Sequence, residues 1–238
     1  MLWNILSVIG IAILLIILFL VICALFVNPK KIYEKDSKFS RRIAESVVSI
    51  VLKVCRVKIH IRGIQKVPGD TKVLFTGNHR SNFDPMVTWM VFAESSPAFI
   101  SKESNFKIPV VGRIIRRCCF MPIDRDNPRN AIKTINHAAD LLKRQEVSIG
   151  VYPEGTRSKN CELLEFHNGV FKIAQKADAP IVVLAIRGTE HIHKNAHFRK
   201  TDVYLDVADV IPANDVNDMK TAEIGDRVRR ALEYSLNQ

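Results

Sequence analysis

The sequence predicts an α/β protein: a layered domain with a mixed, largely parallel sheet, preceded by an N-terminal hydrophobic and amphipathic two-helix membrane segment. Three observations predict it. Short β-branched and aromatic runs alternate with longer helical patterns from Val57 onward. Residues 2–27 are almost wholly apolar, interrupted only by Asn4, Ser7 and Gly10. A basic stretch comes directly after: between Asn28 and Gly69 eleven Lys and Arg stand against three acids, a local charge of +8 within a total of +11.

The apolar run is long enough to cross a bilayer. It has no basic residues before it and no small-residue cleavage site after it, so it does not read as a signal peptide. Lys30, Lys31, Lys35, Lys38, Arg41 and Arg42 place the C-terminal part of the chain on the cytoplasmic side of an inner or cytoplasmic membrane. From about 37 to 56, Phe39, Ile43, Val47, Ile50 and Leu52 or Val54 recur at roughly helical spacing, which predicts an amphipathic helix lying against the membrane. The two segments either span the bilayer or form a hairpin that enters one leaflet. Residues 1–56 are thus expected to be a membrane-binding segment and 57–238 the α/β domain.

Within that domain, strands are predicted at Val57–Arg62, Lys72–Thr76, Ala98–Ser101, Cys119–Ile123, Val147–Tyr152, Pro180–Ile186 and Val203–Val210. Helices are predicted at Met86–Ala93, Phe106–Arg117, Pro128–Gln145, Gly169–Lys176 and Val216–Leu236. A pI near 9.6 calls for an anionic partner. Basic residues beside an apolar segment point to anionic phospholipid. No aromatic-basic platform accompanies them, so nucleic acid is not the expected partner. The five cysteines show no paired metal spacing and read as reduced thiols, so no metal is expected.

The chemistry is concentrated in loops that come after strands. Gly77-Asn-His-Arg-Ser-Asn-Phe-Asp-Pro85 joins a buried strand to a buried helix, and Asp84-Pro85 reads as an acidic cap with proline in the first turn. In such a loop Asp84 can fold back to one nitrogen of His79 and leave the other to accept a proton from a substrate hydroxyl. Alone, the pair also describes a helix cap and a loop histidine. Ile123-Asp124-Arg125 ends a second strand, and Tyr152-Pro-Glu-Gly-Thr-Arg157-Ser a third. Arg157 offers a planar fork for phosphate or carboxylate, and Thr156, Ser158 and the turn amides offer donors. Alone, Glu154 and Arg157 also describe an ion pair that stiffens a turn. Together the loops suggest a base and a phosphate clamp at one sheet edge.

In order, Asn78-His79 to Asp84-Pro85, Phe120-Met-Pro-Ile-Asp-Arg125, Tyr152-Pro-Glu-Gly-Thr-Arg157-Ser and Ala179-Pro180-Ile-Val-Val resemble the four motifs of the glycerolipid acyltransferases. The nearest likeness is to the 1-acyl-sn-glycerol-3-phosphate acyltransferases of bacterial type. It covers roughly Val57 to Val210, and Ser101-Lys102-Glu103 and Ile108-Pro109 fit it too. The chain departs from the pattern at His167, where many relatives carry a basic residue after Phe, and at Tyr152, where Phe is usual. The resemblance implies acyl transfer from acyl-CoA or acyl carrier protein to the sn-2 hydroxyl of lysophosphatidic acid, giving phosphatidic acid. His79 would be the base and Asp84 its orienting partner. Lys102, Arg125, Glu154, Gly155, Thr156 and Arg157 would bind or shape the acceptor site. It implies no metal and no cofactor beyond the thioester. The competing expectations are another lysolipid acceptor, a membrane hydrolase or thioesterase, and a lipid-binding protein without turnover.

Overall fold

A computed structural model describes residues 2–125, 127–196 and 198–238. Two helices come first, α1 (Leu2–Leu25) and α2 (Lys38–Val54). The sheet is built from β1 (Val57–Arg62), β2 (Leu74–Gly77), β3 (Ala98–Lys102), β4 (Met121–Ile123), β5 (Ile149–Val151), β6 (Ile181–Arg187) and β7 (Thr201–Ile211). Its connections carry α3 (Asp84–Val91), α4 (Val111–Arg117), α5 (Pro128–Lys143), α6 (Lys172–Ala177) and α7 (Thr189–Asn195), and α8 (Ala213–Asp218) and α9 (Thr221–Leu236) close the chain.

The strand order is β1-β7-β6-β2-β5-β3-β4. β2 to β6 run one way; β7 lies antiparallel to β6, and β1 parallel to β7. The sheet is therefore mixed and largely parallel, as its uninterrupted apolar strands predict. β6 shows why those strands lack alternation. Ile181, Val183 and Ala185 pack with α5, α6 and α9, while Val182, Leu184 and Ile186 pack with α2, α3 and α7. A strand with helices on both faces must be apolar at every position.

All predicted strands are present. Three helices differ from expectation. The stretch 106–117 breaks at Pro109: a 3-10 turn covers Glu103–Lys107 and only Val111–Arg117 is α-helical. The chain doubles back so tightly there that a Cβ on Gly112 would lie 2.3 Å from the Phe106 carbonyl oxygen. The closing helix divides between Asp218 and Thr221, where the Lys220 N–H donates to Glu223 at 2.7 Å and caps a new helix. Asn168–Phe171 is a 3-10 turn that leads into α6. α7 is not foreshadowed in the sequence, since Thr189 and Ile192 alone among its residues are buried.

The N-terminal helices differ in kind. α1 has a 20-residue stretch, Leu6–Leu25, long and apolar enough to cross a membrane, and only 6% of its most apolar window is buried. α2 turns Ser40, Arg41, Ala44, Val48 and Leu52 into the domain. Phe39, Ile50 and Val54, on the stripe expected to meet the membrane, stay exposed. The inner face, which the sequence pattern does not assign, carries a satisfied cation beside Ser40, Ala44, Val48 and Leu52. Arg41, 5% exposed, pairs with Asp36 at 2.6 Å and donates to the carbonyls of Pro97 and Cys118 at 3.1 and 3.2 Å. Val48 and Leu52 share a core with Val73, Phe75 and Val87, so α2 is continuous with the α/β domain.

Candidate active site

The five strands that run together end at one edge, and β5 and β6 flank β2 there after the chain order has reversed. Open α/β sheets bind ligands at such points. The loop leaving β2 is shaped by its first two residues. Gly77 lets β2 approach β6, since a Cβ there would lie 2.3 Å from the Leu184 carbonyl oxygen. Asn78, 1% exposed, donates to the Ile186 carbonyl at 2.9 Å and accepts from its N–H at 2.8 Å. Its side-chain amide thus continues the ladder to β6 in place of a peptide group, and the backbone is free to turn away at His79.

His79 Nδ1 lies 2.8 Å from Asp84 Oδ2, and the side chain keeps 17% exposure. A carboxylate only accepts, so Nδ1 carries the proton and the Nε2 lone pair is left open. The Asp84 carboxylate is fully buried. Oδ2 also accepts from the N–H groups of Arg80 and Ser81, both at 2.7 Å, and Oδ1 accepts from Thr189 Oγ1 at 2.5 Å. The sequence reading of Asp84 as a cap is corrected here: it is the first residue of α3, and its carboxylate folds back to hold the preceding loop.

The third motif grips the backbone of His79 from the neighbouring strand. The His79 N–H donates to Glu154 Oε1 at 2.7 Å, and the Ser158 N–H donates to the His79 carbonyl at 2.8 Å. Glu154 Oε2 accepts from the Leu164 N–H at 3.2 Å, and the side chain is 3% exposed. Burial pushes the Glu154 carboxyl above its usual range, against the pull of those two N–H bonds. Each oxygen accepts a backbone N–H, so Glu154 braces the loop; it does not pair with Arg157. The Tyr152 ring stacks on His79 at 4.3 Å between centroids, nearly parallel. Burial first, and the Asp84 charge second, hold the Tyr152 phenol well above its usual value, so it stays neutral.

The remaining expected residues lie along the same edge, toward β4. Gly155 takes φ +66, and a Cβ there would come within 2.9 Å of the His167 ring. Thr156 and Arg157 come next in the chain, exposed. Lys102 ends β3, in register with Ile123 of β4, and Arg125 stands two residues beyond β4. Lys102, Arg125 and Arg157 are exposed and make no hydrogen bond or ion pair to another described residue. Neighbouring strands lie about 4.8 Å apart, so β3 is about 10 Å and β4 about 14 Å from β2.

Sequence reasoning missed three roles that build the site: Asn78 as a ladder mimic, the Ser158 N–H as a donor to His79, and Thr189 as a donor to Asp84. The only local signal for the last was Gly188-Thr189 directly after a strand that ends at this edge. Among the described residues no group of three or more His, Cys, Asp and Glu is arranged to hold a metal. Burial pushes Cys118 and Cys119 up to about 12, which leaves them inert as nucleophiles.

A profile of the acyltransferase family matches residues 58–187, which takes in every site residue described above except Thr189. The chain is 31% identical over 170 residues to the chloroplast 1-acyl-sn-glycerol-3-phosphate acyltransferase of Arabidopsis thaliana, covering 63% of this chain and 47% of that protein. It is 26% identical over 212 residues to the 1-acyl-sn-glycerol-3-phosphate acyltransferase of Salmonella typhimurium, covering 88% of this chain and 81% of that one. The chain thus spans about half the length of its Arabidopsis relative and most of the Salmonella one. In fold it is similar to the crystal structure of the 1-acyl-sn-glycerophosphate acyltransferase PlsC from Thermotoga maritima, with a TM-score of 0.63, 22% identity, and coverage of 92% of this chain and 88% of that one.

Proposed function

The chain belongs to the acyltransferase family, and from that premise we propose that it transfers a fatty acyl group from an acyl thioester to the sn-2 hydroxyl of 1-acyl-sn-glycerol 3-phosphate, giving phosphatidic acid. The observation that carries the reading is the open Nε2 of His79, oriented by a buried carboxylate, at a sheet edge with three exposed cations. A base with a fixed tautomer suits a hydroxyl acceptor, and the cations suit its phosphate.

His79 Nε2 takes the proton of the acceptor hydroxyl as that oxygen attacks the thioester carbonyl. The tetrahedral intermediate collapses, the carbon–sulfur bond breaks, and the imidazolium returns the proton to the departing thiolate. The new ester and a free thiol are the products, and no acyl group is ever attached to the protein. Asp84 holds the proton-bearing Nδ1 and stabilises the transient imidazolium. Arg157 is on the β5 loop next to Ser158, whose N–H bonds the His79 carbonyl, and it pairs with the acceptor phosphate. Lys102 and Arg125 extend the positive surface toward a donor, either acyl-CoA or acyl carrier protein.

The acceptor and product belong to a bilayer, and α1 gives the domain access to it. A helix of 24 residues is about 36 Å long, enough for a hydrocarbon core of about 30 Å. The lysines and arginines just after α1 favour the cytoplasmic face and anionic lipid.

The test is acyl transfer by the detergent-solubilised full chain with lysophosphatidic acid and either acyl-CoA or acyl carrier protein thioester. Phosphatidic acid is expected from wild type, and His79→Ala, folded by circular dichroism, is expected to lose at least about a thousandfold in kcat. Turnover by folded His79→Ala would sink the base assignment. Product only with a different lysolipid would move the acceptor, and acyl release without any acceptor would favour a thioesterase.

A further inference from the structure

Asp84 receives four hydrogen bonds, and they are unevenly shared. Three donors converge on Oδ2: the His79 ring and the N–H groups of Arg80 and Ser81. Oδ1 has one, the hydroxyl of Thr189, 105 residues away in sequence. Thr189 is itself fully buried and opens α7. Its place is set by Gly188 at φ +90, where a Cβ would lie 2.4 Å from the Asp202 carbonyl oxygen. No larger residue can make that turn without displacing β7. Glu190, next in the chain, reaches Arg80 of the same loop at 3.9 Å.

We propose that Thr189 is a positioning residue for the reaction, the third member of a relay that runs Thr189–Asp84–His79. The inference rests on the reading of His79 as the base. A carboxylate turns about its Cβ–Cγ bond with little preference between its two oxygens. In a buried site the oxygen left without a donor draws the group round toward whatever donors remain. The Thr189 hydroxyl satisfies Oδ1 while Nδ1 bonds Oδ2, so each oxygen has its own donor and the carboxylate keeps one orientation. Without it Oδ1 is buried with no donor, and the carboxylate turns to share the Arg80 and Ser81 N–H groups between its two oxygens, so the Oδ2–Nδ1 bond weakens and the imidazole is freer to carry its proton on Nε2. That tautomer cannot accept the proton of an attacking hydroxyl.

The experiment uses two substitutions and two readouts. Thr189→Val removes the hydroxyl and keeps the shape; Thr189→Ser keeps the hydroxyl. In the full chain labelled with 15N-histidine, the His79 ring signals are identified by their loss in His79→Gln. Wild type and Thr189→Ser are expected to show one tautomer, protonated on Nδ1, and Thr189→Val a mixture. In acyl transfer, Thr189→Val is expected to lose roughly 10- to 100-fold in kcat with KM for donor and acceptor within about twofold, and Thr189→Ser to stay within about threefold of wild type. An unaltered tautomer in Thr189→Val, or a kcat within about twofold of wild type, would overturn the relay. So would a folded Thr189→Ser that loses activity as Thr189→Val does. If Thr189→Val does not fold, Thr189→Ala removes the same hydroxyl and carries the same expectations. A tautomer shift in a chain that performs no acyl transfer would uphold the relay and reject the acyltransferase reading.

Discussion

Around His79 the carboxylates of Asp84 and Glu154 are buried and hydrogen-bonded, whereas farther along the edge, from the β5 loop toward β4, the cations Arg157, Lys102 and Arg125 are exposed and engage no described residue. Asp84 is closed to solvent with every donor placed, and Glu154 holds two backbone N–H groups. Arg157, Lys102 and Arg125 pair with nothing described in the protein. The contrast arises from what each end has to do. A base works from one tautomer and one orientation, and buried, saturated hydrogen bonds hold both. A phosphate brings its own charge, and cations already paired within the protein would have to be released before they met it. The first end is therefore sensitive to folding and the second to substrate.

Of the two regions the buried one gives the larger expected effect, through Glu154. Glu154→Ala leaves the N–H groups of His79 and Leu164 without acceptors, which costs about 2–4 kcal/mol of stability. It also loosens the backbone on both sides of the catalytic ring, and kcat is expected to fall about a hundredfold with the acceptor KM nearly unchanged. Urea unfolding and initial rates check this together. A loss confined to acceptor KM would restore Glu154 to the substrate-binding role its motif suggests. The same residue gives the buried end a pH signature. Its raised carboxyl keeps a proton in the native state that the unfolded chain releases, so stability falls as pH rises from the ordinary carboxylate value through the native one. Unfolding midpoints of wild type across pH 4–8 are expected to show that decline, and those of Glu154→Gln to lack it.

At the exposed end the expectation reverses. Arg157→Ala removes no hydrogen bond or ion pair to a described residue, so stability stays within about 0.5 kcal/mol. The acceptor KM is expected to rise about tenfold, the value of one charge-assisted bond at a solvated site, with kcat little altered. Initial rates against lysophosphatidic acid concentration give both constants. A fall in kcat alone would move Arg157 to the reacting atoms.

The two ends also differ in how far the sequence discloses them. His79 and Asp84 are legible because both partners lie in one short loop, so spacing alone brings them together. The sheet is legible because runs such as Ile181–Ile186 admit only a strand buried on both faces. Glu154 reads naturally as a surface partner for Arg157 three residues on, and only the fold reveals that its partner is the backbone of His79, 75 residues earlier. Thr189 and Asn78 are hidden for the same reason, since a hydroxyl or an amide acquires its role from a strand paired across the sheet. Arg41 misleads in the opposite direction. A cation in a basic stretch reads as membrane-facing, yet its guanidinium is buried between Asp36 and two carbonyl groups. Exposed cations such as Lys102 and Arg125 are named by motif, but what they bind is not written in the protein's own contacts.

Those two give the smallest and sharpest test of the comparison. Each stands two or three strands from β2, exposed, so each can contribute no more than a solvated ion pair to an anion seated at His79. Lys102→Ala and Arg125→Ala are each expected to raise the acceptor KM by at most about fivefold, with the effect reduced at high salt. If acceptor and donor occupy successive parts of the edge, these substitutions raise the KM of acyl-CoA at least as much as that of lysophosphatidic acid. Their effects then multiply with Arg157→Ala, since groups that touch different anions act independently. Measuring both KM values in the single and triple variants decides it. An effect on the acceptor larger than that of Arg157→Ala, or a triple variant no worse than Arg157→Ala alone, would mean that the three cations close round one phosphate. The exposed end would then become ordered on binding into an arrangement as specific as the buried one.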